Sequence, residues 1–342
     1  MIVDNSVAAD GKCRLGVAGG NAVYSAAGAR LWLDGVGVVA NIPSNYPREI
    51  VERLTLAGLD TAGIRVVDEA VHRSEWFLYE EDGSRLDELH SGPEMPDIDG
   101  LAEGRISPDE RERLIRFLVQ SSKDGEGQDF GAFRRRHPVT SDMIPAAYRA
   151  ASGVHLGANT PSYQVSMAQD LGSEGKIVTA DPGPNVGALA GELLDELLGS
   201  VTAFLPSEKE LRALFPERGL EQGLFALRAN GIPVVGVKLG AKGVRMLADE
   251  KESVLVPAFA TVAADPTGAG DSFCGGFLAG LVLGADPIAA AAMGVVSASI
   301  AIEDYGPFHL LETPREQALQ RLALLRPRLP SSVAASLDAT IL

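Results

Sequence analysis

The chain has 342 residues, 46 % of them apolar and 22 % charged, enough for one large α/β domain or two smaller ones. Its 46 acidic and 30 basic residues give a net charge of -16, which argues against nucleic acid or an anionic membrane as the main partner. Two widely separated cysteines, Cys13 and Cys274, and five histidines without metal-ligand spacing indicate neither a disulfide framework nor a zinc site. The N-terminal stretch lacks the basic and apolar regions of a signal peptide, and the uncharged run 288–302 is too short to span a bilayer, so a cytoplasmic protein is expected.

Residues 20–33 are rich in alanine and place Val23, Ala27, Leu31 and Trp32 near one face, predicting a helix. Residues 35–42 read as a buried strand and 48–58 as a helix ending at Gly58. The runs 64–67 and 74–79, followed by Asp82-Gly83, predict a small antiparallel patch. Residues 91–140 carry four prolines, the acidic run 94–103 and the polar stretch 121–129, and read as an irregular insertion around one helix, 108–120. Arg134-Arg135-Arg136-His137 lies there. Such a triplet is ordinarily a solvated or salt-bridged face, with phosphate or substrate contact as the alternative.

From residue 153 strands and helices alternate. Strands are expected at 153–158, 177–181, 201–205 and 232–239, and helices at 161–172, 187–199, 207–215 and 220–230. Continuous apolar strands in this rhythm predict a parallel sheet covered on both faces. A hairpin, 244–247 with 253–256 around the charged turn 249–252, follows. The run 288–302 reads as a buried helix.

The segment of greatest chemical interest is Asp265-Pro266-Thr267-Gly268-Ala269-Gly270-Asp271-Ser272-Phe273, which leads into an apolar helix. A helix start offers unpaired N–H groups and the positive end of the dipole, and glycines let backbone approach an anion closely. A carboxylate there competes for the same field. It makes sense if Asp271 acts as a base on a hydroxyl while the amides of Gly268, Ala269 and Gly270 hold a phosphoryl group. The purely structural alternative is a glycine turn with a helix-capping Asp.

This segment resembles the C-terminal signature of the ribokinase-like (PfkB-type) carbohydrate kinases, D-T-x-G-A-G-D, with Pro266 where Thr is common. The resemblance implies a three-layer α/β fold with a mostly parallel central sheet and a small β lid. The kinase domain would span 1–330, the lid 10–18 and 63–90, and a C-terminal tail 331–342. It implies Asp271 as general base and Gly268, Ala269 and Gly270 as anion hole. Gly19, Gly20 and Asn21 resemble the family's Gly-Gly sugar-binding motif; Tyr24 stands where ribokinases often carry a substrate-binding Asn. Asp4 matches the Asp that ends the family's first strand and binds two sugar hydroxyls. Lid residues such as Arg73, Glu75 and Phe77 would add specificity.

Pro206-Ser207-Glu208-Lys209-Glu210 resembles the family's Asn-x-x-Glu, whose Glu helps organise Mg²⁺ through water; Ser207 and Glu210 equally form a capping box. Lys238, Gly240 and Gly243 resemble the segment along the nucleotide phosphates, with Lys238 where Thr or Ser is common. Ala292, Gly294 and Ser297 would form one wall of an adenine pocket. Asp265 and Thr267, with Gly306 nearby, could hold a monovalent cation such as K⁺. The implied reaction is ATP- and Mg²⁺-dependent phosphorylation of a hydroxymethyl group on a sugar or sugar-like molecule. A nucleoside kinase of the same superfamily and a catalytically silent binding protein are the alternatives. A homodimer through an edge of the lid sheet is also expected. No G-x-G-x-x-G opens a helix after a first strand, so a dehydrogenase is not indicated.

Overall fold

The computed structural model describes residues 1–7, 11–71, 74–79, 85–86, 106–121, 130–248, 252–331, 333–334 and 337, and of 74–79, 85–86 and 118–121 the backbone alone. Arg73, the side chains of Glu75 and Phe77, the Asp82-Gly83 turn and the acidic run 94–103 lie outside the described residues. So do nearly all of the stretch 121–129, most of the turn 249–252 and most of the tail 331–342.

The N-terminal elements are β1 (Ile2–Val7), β2 (Cys13–Gly19), α1 (Asn21–Arg30), β3 (Gly37–Pro43), α2 (Arg48–Leu56), β4 (Asp60–Val67), β5 (Ser74–Tyr79), β6 (Arg85–Leu86), α3 (Pro108–Ser121) and α4 (Phe130–Arg136). They form two separate sheets. One has the order β2-β1-β5-β6, with β1 antiparallel to β2 and parallel to β5. The other is the parallel pair β3-β4.

Two expectations are corrected here. Residues 64–67 and 74–79 do not pair as an antiparallel patch. A helix, α2, separates β3 from β4, and such a crossover returns the chain parallel to the strand it left. Asp4 does not end its strand: β1 continues to Val7 because β2 pairs with it as far as Cys13.

The later elements are β7 (Gly153–Leu156), α5 (Pro161–Ser173), β8 (Ile177–Ala180), α6 (Glu192–Ser200), β9 (Ala203–Phe204), α7 (Glu208–Leu214), α8 (Leu220–Ala229), β10 (Val234–Lys238), β11 (Val244–Leu247), β12 (Val254–Val256), α9 (Ala269–Val282), α10 (Pro287–Ala301), α11 (Phe308–Glu312) and α12 (Arg315–Leu325). The expected helix 187–199 is divided: a 3₁₀ turn, 186–189, precedes Gly191 at φ 68°, and α6 begins after it. The sheet order is β12-β11-β10-β9-β8-β7, parallel from β7 to β10 and antiparallel through β11 and β12.

Alternation along the strands splits the core. Ala203 and Leu205 pack with α1, α9, α10 and Trp32, whereas Phe204 packs with α5, α6, α7 and α8 on the other face. The result is three layers, helix–sheet–helix. Within one helix layer α1 and α9 touch backbone to backbone: a Cβ on Gly275 would lie 1.8 Å from the Ser25 carbonyl oxygen.

Candidate active site

A cavity of about 1170 Å³ opens where β7, β8 and β10 end and α9 begins. Parallel sheets place ligands beyond the carboxyl ends of their strands, so the residues just past these ends matter most. The cavity is lined there by Gly157, Asp181, Lys238, Gly240 and the run Gly268 to Asp271.

Gly268 caps α9 at φ 74°, a conformation that disfavours any side chain. A Cβ there would also lie 2.2 Å from the Tyr24 ring. The turn throws Ala269 and Gly270 onto the cavity wall at the N-terminus of a 14-residue helix, with Asp271 in its first turn. The free N–H ends and dipole of that helix favour an anion at this wall.

Lys238 ends β10 and sits beside this wall, its Nζ 3.5 Å from where a Cβ on Gly270 would be. It forms a buried ion pair with Asp181 and lies 3.8 Å from the Cys274 Sγ. Burial opposes the ammonium, but Asp181, Cys274 and Glu210 outweigh it and hold the Lys238 pKa above its ordinary value. Glu210 is pushed up, by burial first and then by the Asp181 charge, against the lowering effects of Lys238 and Ser207. Both halves of the Ser207–Glu210 capping box form: the Ser207 N–H donates to Glu210 Oε2 at 2.6 Å, and the Glu210 N–H donates to Ser207 Oγ at 3.3 Å. Glu210 therefore caps α7 and also lines the cavity.

At the other end, Asn21 opens α1 and donates from Nδ2 to the Ala158 carbonyl at 3.0 Å. Arg134 of α4 donates to the same carbonyl at 3.1 Å. Gly20 and Asn21 line the cavity. The Asp4 carboxylate fills the space beside Gly19, where a Cβ would lie 1.9 Å from its Oδ2.

Other sequence-derived candidates lie elsewhere. Tyr24 is buried beneath Gly268 and is absent from the cavity wall, so it supports the α9 turn instead of facing a substrate. Ala292, Gly294 and Ser297 are corrected as an adenine wall: they pack inside the helix layer. Ser297 Oγ accepts from Trp32 Nε1 at 2.9 Å and donates to the Gly28 carbonyl at 3.1 Å, and Gly294 abuts Phe273. Gly243 turns under the site, where a Cβ would meet the Val256 carbonyl oxygen at 2.1 Å. Asp265 and Thr267 are buried in one turn, the Thr267 N–H donating to Asp265 Oδ1 at 2.9 Å, and the Ala264 N–H donates to the Ile302 carbonyl at 2.7 Å.

Asp181 and His155 were not among the sequence candidates. Asp181 directly follows a parallel strand, as Lys238 ends one, and that position is a readable signal. His155 is half-buried on β7, its Nδ1 2.9 Å from Thr179 Oγ1 and its buried Nε2 without a hydrogen-bond partner, and desolvation depresses its pKa to about 4. Among the described residues no group of three or more metal-ligating side chains occurs, and no helix is long and apolar enough to cross a membrane.

Residues 152–314 match the pfkB family carbohydrate kinases, and this stretch holds Asp181, Glu210, Lys238 and the Gly268–Asp271 run. This part of the chain, just under half of it, is similar to the pfkB family carbohydrate kinases. Among its relatives, a nucleoside kinase of Methanothermobacter thermautotrophicus is 28 % identical over 190 residues, 56 % of this chain and 60 % of that protein. A cytidine kinase of Thermococcus kodakarensis is 26 % identical over 283 residues, 81 % of this chain and 84 % of that one. A putative ribokinase II of E. coli superimposes with TM-scores of 0.68 in its apo form and 0.66 in complex with ATP and Mg²⁺. Its identity is 17 % and 16 %, over 94 % of this chain and 96 % of the other in both cases. The chain thus has a ribokinase-like α/β fold.

Proposed function

We propose that this protein transfers the γ-phosphoryl group of ATP to a hydroxymethyl group of a sugar or nucleoside. The reading rests on one observation. The Gly268–Gly270 backbone forms the start of α9 on the cavity wall, with Asp271 in the same turn and the Lys238 ammonium beside it.

In this reading Asp271 accepts the proton of the attacking hydroxyl, and the Gly268–Gly270 amides stabilise charge on the phosphoryl group in flight. Lys238 lies along the phosphates with Gly240. The neighbouring carboxylates Asp181 and Glu210 fit a hard divalent cation, because the Asp181 charge helps to raise the Glu210 pKa and a shared positive charge would relieve that repulsion. Mg²⁺ held there would neutralise and orient the phosphates. Asn21, Asp4 and the Gly19-Gly20 backbone hold the acceptor, and the β2-β1-β5-β6 sheet excludes water so that ATP is not simply hydrolysed. Asp265 and Thr267 are assigned to a monovalent cation, for which dependence of kcat on K⁺ is the check. The assembly is a homodimer, to be checked by light scattering.

A nucleoside acceptor is favoured by the names of two relatives, a nucleoside kinase and a cytidine kinase. The deciding experiment measures ADP release with Mg·ATP across sugars, sugar acids and nucleosides, with Asp271→Asn as control. A hit that vanishes in the variant supports the kinase and names the acceptor. Near-normal turnover in the variant sinks the role of Asp271, and silence across the panel with ATP still bound favours a non-catalytic binding protein.

A further inference from the structure

The cavity wall carries two polar atoms that the function proposed above does not use. Gly153, His155 and Gly157 share the face of β7 and its continuation that looks towards α1 and α9. A Cβ on Gly157 would lie 2.9 Å from Asn21 Nδ2 of α1. One on Gly153 would lie 2.6 Å from a Val282 methyl and 2.9 Å from a Leu278 methyl of α9. His155, halfway between, faces the point where the two helices cross. That crossing is at Ser25 and Gly275, where a Cβ on Gly275 would lie 1.8 Å from the Ser25 carbonyl oxygen. Ser25, His155 and Gly275 all line the cavity, as does Asp271, one turn before Gly275 on α9.

Ser25 Oγ and His155 Nε2 are buried without a hydrogen-bond partner among the described residues, and Ser25 is only 6 % exposed. The imidazole is oriented through its other nitrogen, Nδ1, 2.9 Å from Thr179 Oγ1 on the paired strand β8. Buried polar atoms without partners are costly, and an apolar group set against these two would leave that cost in place. An anion does not suit them. The ring is neutral at pH 7, since desolvation holds its pKa near 4, and the Asp271 carboxylate is one turn away. A hydroxyl does suit them, because it donates one hydrogen bond and accepts another. Ser25 can do either, so both atoms are satisfied whichever ring tautomer is present. Ser25 also follows Asn21 by one turn on the same face of α1, so this point continues the acceptor end of the cavity.

We propose that Ser25 and His155 form a specificity subsite, in which one hydroxyl of the acceptor, other than the one phosphorylated, bonds to Ser25 Oγ and His155 Nε2. The proposal rests on the kinase reading above for the identity of this ligand as the acceptor.

The test measures binding by calorimetry and turnover by ADP release with Mg·ATP. The probes are pentoses, hexoses and ribonucleosides, each beside its monodeoxy analogues, with wild type, Ser25→Ala and His155→Leu compared. In wild type, removing the recognised hydroxyl from the ligand should weaken binding about tenfold. In Ser25→Ala the parent compound should weaken by a similar factor, the same deoxy analogue should weaken no further, and the KM of ATP should hold. His155→Leu should give the same pattern. If it does not fold, Ser25→Ala decides alone, because its hydroxyl has no protein partner to lose and Tm should hardly change. Equal affinity for the parent compound in wild type and Ser25→Ala would overturn the proposal and leave an internal water as the occupant. So would failure of every probe to bind. The expected binding pattern without ADP release would keep the subsite and sink the kinase reading; Asp271-dependent turnover indifferent to both variants would do the reverse.

Discussion

At the α9 end of the cavity the wall is the backbone of a helix start, held by a left-handed glycine over a buried Tyr24 ring and flanked by one lysine from the adjoining sheet. At the opposite end the polar groups are side chains drawn from separate elements, Asn21 of α1 and Arg134 of α4, meeting at the Ala158 carbonyl in the loop after β7. A backbone site is fixed by turn geometry and tolerates little change. A site built from side chains on several elements can be retuned one residue at a time. Phosphate handling and acceptor choice should therefore separate under mutation.

The largest effect is expected at Asp271. Asp271→Asn keeps the shape of the helix start and removes the proposed base, so kcat should fall by about 10²–10⁴-fold. ATP binding by calorimetry should hardly change, since the Gly268–Gly270 amides and Lys238 remain. Loss of ATP binding in parallel with kcat would merge the two ends into one unit and break the comparison.

Gly268→Val comes next. The new side chain would require φ near 74° and would collide with the Tyr24 ring. Displacing one anion-hole donor costs about 10²–10³-fold in kcat in comparable sites. The KM of the acceptor should stay close to that of the unmodified protein if the ends are independent.

The two ends also differed in how far they could be read from the sequence. Gly268-Ala269-Gly270-Asp271 states its geometry locally, because glycine spacing and a following apolar helix define a tight turn at a helix start. The β/α alternation after residue 153 was equally readable, since buried parallel strands are continuous apolar runs. Tyr24 and Ser297 were misread for one reason. Small and aromatic residues on helices that pack backbone to backbone serve the packing, and only the partner helix reveals which face is inside. The pairing of β4 with β3 instead of β5 is likewise a long-range choice that the strand pattern alone leaves open. Asp181 was legible in principle from its place after β8, but no glycine signature draws attention to it.

His155 sits on β7 near the Asp181–Lys238 pair, and it gives a stability test of the buried floor. Its folded pKa is depressed from 6.5 to about 4, chiefly by burial, so the neutral ring is favoured in the fold. Above pH 6.5 both folded and unfolded forms are neutral and nothing is lost. As pH falls from 6.5 towards 4 the unfolded chain takes up a proton that the folded one resists, and stability on the order of 3 kcal/mol is lost. Glu210 has the opposite sign: its raised carboxyl favours the folded state as pH falls towards 4.5. Urea unfolding of wild type and His155→Gln between pH 7 and 4 separates them. The variant should lose the downward slope, and parallel pH curves would show that the ring is not held neutral.

The smallest effect is expected at the acceptor end, in Asn21→Ala. Asn21 Nδ2 donates to the Ala158 carbonyl at 3.0 Å, a contact that ties the start of α1 to the loop after β7. Arg134 donates to the same oxygen, so the carbonyl keeps a partner when Asn21 is truncated. The loss is then one ordinary hydrogen bond plus whatever Asn21 gives the acceptor, about 0.5–1.5 kcal/mol, or roughly 2–10-fold. That loss should fall on the KM of the acceptor while the KM of ATP stays constant, because the bond ties α1 to the loop after β7. Arg134→Ala alone should act in the same direction. The double variant should cost more than the sum of the singles, since it alone leaves the Ala158 carbonyl without either donor. Strict additivity in this cycle would mean that the shared carbonyl is not what organises the acceptor end.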